Sequence, residues 1–157
     1  MKLLEVTPEK LVFEMSGKEQ SVLVDLLGLY PLIPPGHQRI SIDTHSKVME
    51  EEQKLLDDAL AAQRAAHKAH LRAWLQESGR FVPRGEAVRF ELSAGDVEWL
   101  LQVLGDLRVG SWIRLGSPDY AAERQLQVTR ENVQFVWARE LGGLFQMALL
   151  HGLSNRS

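Results

Sequence analysis

The chain has 157 residues, a formal net charge of −3, 45% apolar and 25% charged residues, and no cysteine. That length and balance describe one domain able to bury a sizeable core without staples, and they exclude a disordered or collagen-like chain. Disulfides, thiolate metal sites and cysteine nucleophiles are excluded outright.

In chain order, the first apolar piece, residues 3–6, leads into a turn at Thr7-Pro8-Glu9-Lys10, and residues 11–15 follow as a strand. This predicts a β-hairpin. Ser16 with Glu19 three residues on reads as a capping box opening a helix, whose stripe is Val22, Leu23, Leu26, Leu27 and Tyr30, and which stops before Pro31. Residues 31–46 form a Pro-rich loop, with Ile40 and Ile42 as a short strand. A long helix is predicted over 47–77, with Glu50, Glu51 and Glu52 at its positive end and Gly79 as its terminator.

The same grammar then recurs. A second hairpin spans 81–92 around Pro83-Arg84-Gly85-Glu86, and Ser93 with Asp96 opens a helix to about residue 115. After a connection at 117–128, Thr129 caps a last helix from 130 to about 151, and 154–157 read as a frayed tail.

The recurrence is visible residue by residue. Residues 9–28 align with 86–105 without a gap; Glu9/Glu86, Phe13/Phe90, Glu14/Glu91, Ser16/Ser93, Leu23/Leu100, Leu27/Leu104 and Gly28/Gly105 are identical. A repeat of this kind predicts architecture. The expected fold is a mainly α (α+β) single domain over 1–157, built of two similar halves, 1–78 and 79–153. It is a four-helix bundle with two small β-hairpins, an internal ββαα repeat with pseudo-two-fold symmetry.

Residues 104–116, LGDLRVGSWIRLG, resemble the motif Leu-Asn-Asp-x-Arg-Leu-x-Leu-Gly-x-Arg-Leu-Gly of a family found chiefly in actinobacteria and classed as a domain of unknown function. Asp106, Arg108, Arg114, Leu115 and Gly116 match it, and Phe135-Val136-Trp137-Ala138 is similar to the Tyr-x-Trp-Leu of that family's last helix. Gly105 and Trp112 depart from it, standing where the family has Asn and Gly. The resemblance implies no activity. Family members often lie near genes for an adaptor of an ATP-dependent protease, which implies a protein-binding role.

Asp106, Arg108 and Arg114 are the sharpest polar group: they read as an anion site, as structural ion pairs with helix partners such as Arg139, Glu140 or Gln146, or as solvated charges. His67 and His70 share a helix side but lack a third ligand, and His67 runs in line with Leu56, Leu60, Leu71 and Trp74. No metal or cofactor is expected. Gly-x-Ser-x-Gly is absent, and Leu141-Gly142-Gly143-Leu144 falls inside a helical pattern, where close helix packing explains it better than a phosphate loop. The net acidity argues against nucleic acid. Glu5, Glu9 and Lys10 break any signal-peptide core, and no apolar run approaches the ~18–20 residues of a membrane span. A cytoplasmic protein of bacterial type is expected.

The reading that results is a non-enzymatic protein-interaction or regulatory domain with a protein partner or a second copy as homodimer, Leu32, Ile33, Ile40 and Ile42 being its candidate interface. The alternative is a protein or enzyme binding a small anionic ligand around Asp106, Arg108 and Arg114; a nucleic-acid-associated regulator is third.

Overall fold

A computed structural model describes residues 1–33 and 47–156. The predicted Ile40 and Ile42 fall outside them. The elements run β1 (Lys2–Val6), β2 (Lys10–Ser16), α1 (Gly17–Gly28), α2 (Lys47–Leu75), β3 (Phe81–Arg84), β4 (Ala87–Ser93), α3 (Ala94–Arg114), α4 (Tyr120–Arg124) and α5 (Val133–Ser154). The protein is thus a mixed α+β domain, dominated by helix. The short α4, capped by Asp119, lies where the sequence predicts only a connection.

The two hairpins do not stand apart. They join through β2 and β4 into one antiparallel sheet of order β1-β2-β4-β3. An isolated hairpin is marginal in water, and four strands with one apolar face are not. Leu11, Phe13 and Met15 of β2 and Val88, Phe90 and Leu92 of β4 are all buried, as period-two alternation requires. The opposite face carries charge: Glu5, Lys10, Arg89 and Glu91 form a lattice of ion pairs 3.6–3.9 Å long around the buried Val12. Gly85, at φ +63°, makes the tight β3–β4 turn.

Both predicted capping boxes are present. Glu19 N donates to Ser16 Oγ (3.0 Å) and Ser16 N to Glu19 Oε1 (3.2 Å); Asp96 N donates to Ser93 Oγ (3.1 Å) and Ser93 N to Asp96 Oδ2 (2.9 Å). These bonds carry each inner strand directly into its helix.

Leu23, Leu26 and Leu27 of α1, Val97, Leu100, Val103, Leu104 and Leu107 of α3, and Ala138, Phe145 and Leu149 of α5 close the core over the sheet. Glycines set the approach of α5. A Cβ on Gly152 would meet Leu11 Cδ1 at 2.9 Å and Phe13 Cζ at 3.1 Å, so the end of α5 lies on the sheet. The Gly142-Gly143 pair packs as the sequence predicts: Arg108 runs across it, its Cγ 3.0 Å from where a Gly142 Cβ would stand. α2 meets the core through Leu71 and Trp74 near its C-terminal end. Among the described residues, no helix is long and apolar enough to cross a membrane.

Candidate functional site

Asp106, Arg108 and Arg114 do not share a partner. Arg108 Nη1 donates to Gln146 Oε1 at 2.8 Å, and Gln146 Nε2 in turn donates to the Leu101 carbonyl at 3.2 Å, so this arginine ties α3 to α5. Arg114 Nε donates to the Leu32 carbonyl at 3.2 Å and holds the chain that leaves α1. Asp106 faces α2. It makes no hydrogen bond or ion pair among the described residues; burial pushes its carboxyl up, and the nearby Arg64 and His67 pull it back only in part. Residues two, six and eight places apart along a helix point in different directions, and the fold uses each separately.

Leu32 corrects the interface expectation. It is 9% exposed and packs so closely on α3 that a Cβ on Gly110 would stand 2.6 Å from Leu32 Cβ. Its apolar surface is spent inside the domain. Ile33 is half-buried.

The histidines have separate duties. His67 Nδ1 lies 3.3 Å from the hydroxyl of the buried Tyr30, and His70 meets the Trp99 ring edge-on at 4.5 Å. Burial pushes the Tyr30 hydroxyl up, Asp106 adds to that, and Arg64 opposes it. Tyr30, Arg64, His67 and Asp106 thus gather where α1, α2 and α3 meet. Among the described residues no group of three or more His, Cys, Asp or Glu is placed to hold a metal.

The most fully bonded polar cluster escapes sequence reasoning. Arg80, in the turn after α2, stacks 4.3 Å above the Trp74 ring, donates through Nη1 to Asp96 Oδ2 and to the Glu91 carbonyl (both 2.8 Å), and pairs with Glu77. Trp74 Nε1 donates to Asp96 Oδ1 at 2.9 Å. Burial raises the Asp96 carboxyl, but the donors from Ser93, Arg80 and Trp74 outweigh it and hold it below the usual carboxylate value. Asp96 is thereby helix cap, ion-pair partner and tether of α2 at once. Its capping role is legible from Ser93-x-x-Asp96; its partners are 16 and 22 residues away and leave no local signal.

A cleft of about 450 Å³ opens between α1 and α5, floored by Val22, Leu141, Phe145 and Ala148 and rimmed by Lys18 and Glu19. Beside it, Leu144, Met147 and Leu150 of α5 are 61%, 68% and 54% exposed. Their three-residue spacing places them along one side of the helix.

Comparison of the chain with family models, with curated proteins and with solved structures finds no match.

Proposed function

We propose that the protein is a non-enzymatic protein-interaction domain that receives an apolar segment of a protein partner in the α1/α5 cleft. The observation that carries this is the continuity of that cleft with the exposed row Leu144, Met147 and Leu150. Apolar residues clustered beside an apolar cleft, with charge at its rim, are the ordinary signature of a protein-binding groove. The site is cytoplasmic in this reading.

The test is photocrosslinking in cells from a reactive residue at position 144 or 147, with exposed Val82 as control. A discrete adduct from α5, lost on Leu150→Glu, is expected. No adduct, or the same adducts from position 82, overturns the reading.

The likeness of residues 104–116 to the actinobacterial motif fits a binding domain. Arg108 and Arg114 serve helix packing and chain anchoring here, which is compatible with a binding role. The rival, a small anionic ligand, is favoured by one observation: the Arg64 guanidinium beside Asp106 forms no ion pair among the described residues, and burial works against the charged form of Asp106 that would repel an anion. A thermal-shift screen of anionic metabolites tests it, since a ligand of the folded state raises the melting point.

We also infer that the two halves descend from one ββα unit, with α1 and α3 as counterparts. Phe13 and Phe90, equivalent in the repeat, are register partners in the sheet, and Leu11↔Leu92 exchanges with Met15↔Val88 under the same swap. The second helices have diverged: α5 is buried along its length, α2 only near its end.

A further inference from the structure

α2 has a second face that the other described residues leave uncovered. Opposite Leu71 and Trp74, positions from Val48 to Ala73 recur at alternating steps of four and three residues, and every one is exposed. That alternation is the 3.5-residue repeat of a coiled-coil seam. All of these positions except Glu52 hold Val, Leu or Ala, on a face where a solvated helix ordinarily carries polar side chains. The seam spans 26 residues, roughly 39 Å of helix at 1.5 Å per residue.

The steps read the same in both directions. An identical helix laid antiparallel therefore sets Val48 opposite Ala73, Glu52 opposite Ala69, Leu55 opposite Ala66 and Ala59 opposite Ala62. Each larger side chain meets an alanine, which lets the two helix axes come close.

Charge selects the occupant and its direction. Residues 47–60 carry five carboxylates against two lysines, a net −3; residues 61–75 carry three bases and no acid, a net +3. Antiparallel pairing lays the acidic half of one helix on the basic half of the other, while parallel pairing sets like on like. At the edge of the seam the same register brings Glu51 opposite Arg72, twice by symmetry. Both are exposed, and neither forms an ion pair in its own chain among the described residues.

We propose that a second copy of this chain docks on the outer face of α2, in an antiparallel two-helix seam centred midway between Ala59 and Ala62. The pairing lies on a different surface from the α1/α5 cleft and does not depend on it. A dimer of this kind carries two clefts and binds a repetitive partner with avidity.

Sedimentation velocity on the full chain tests this. The native protein is expected at twice 17.7 kDa. Glu51→Arg and Arg72→Glu should each weaken the dimer at least about tenfold, and the double reversal should restore it. Ala62→Glu should abolish it. The variants lie on an exposed face, so their far-ultraviolet circular dichroism should match that of the native chain. Leu144→Glu with Met147→Glu should leave the dimer intact while removing cleft adducts, which separates failure of this proposal from failure of the cleft reading. A native chain still monomeric at about 100 µM overturns the proposal. So does a dimer indifferent to all three α2 variants, a double reversal no tighter than the single ones, or a dimer dissolved by the cleft variant.

Discussion

Phe13 and Phe90 face one another across the β2–β4 ladder, each at most 1% exposed, and each is the other's equivalent in the sequence repeat. The two stand at the centre of the seven-pair ladder between β2 and β4. Each inner strand completes the other's backbone edge, which joins the two hairpins into one sheet. That pairing also places the two helix caps at opposite ends of the ladder.

Those caps should act independently. Ser16→Ala and Ser93→Ala are each expected to cost about 1 kcal/mol. Ser16 pairs with Ala87 and Ser93 with Lys10, at the two ends of a seven-residue ladder about 20 Å long, so the double variant should cost the sum. Urea denaturation of the three variants checks both statements.

Asp96 should make the largest single polar contribution. Its carboxylate accepts from Trp74, Arg80 and Ser93, and Asp96→Asn is expected to cost about 2 kcal/mol at neutral pH. Because its folded-state pKa lies below the unfolded value, the contribution is present above that unfolded value and is lost as pH falls through the folded one. The gap between native and Asp96→Asn melting points should therefore be full at pH 7 and close in acid.

Asp106 should behave in the opposite sense. Burial raises its folded-state pKa, so its protonated form favours the fold, and that contribution is lost as pH rises through the raised value. Asp106→Asn should melt at or above the native temperature at pH 7. The advantage should shrink below about pH 4, where the native carboxyl is protonated in both states. A large loss of stability at pH 7 would show that the charged carboxylate is needed.

Two glycines on helices should respond oppositely to alanine. At Gly110 a Cβ would lie 2.6 Å from Leu32 Cβ and 2.7 Å from the Leu32 carbonyl carbon, so Gly110→Ala is expected to destabilise by about 1–3 kcal/mol through displacement of backbone. At Gly28 nothing lies within 4 Å, and Gly28→Ala should be neutral or stabilising by up to about 1 kcal/mol. Thermal denaturation distinguishes the two.

What the sequence by itself determined is the local part of this protein. Ser16-x-x-Glu19 and Ser93-x-x-Asp96 announce their helices because a cap is made within four residues, and Phe13 and Phe90 lie in strands because alternation is a property of neighbours. The spacing of Val, Leu and Ala along α2 and its acidic and basic halves are of the same kind, since they stand in the residue order. Tertiary structure alone decided where side chains went once elements met. Arg108, Arg114 and Asp106 stand close in sequence, yet helix geometry turns them toward Gln146, Leu32 and α2, so the expected shared site is divided among three neighbours. Leu32, apolar beside a Pro-rich loop, reads as surface until Gly110 opens a recess for it. The Arg80–Trp74–Asp96 lock and the α1/α5 cleft are made by contacts between distant segments, and no local periodicity encodes the meeting of two surfaces.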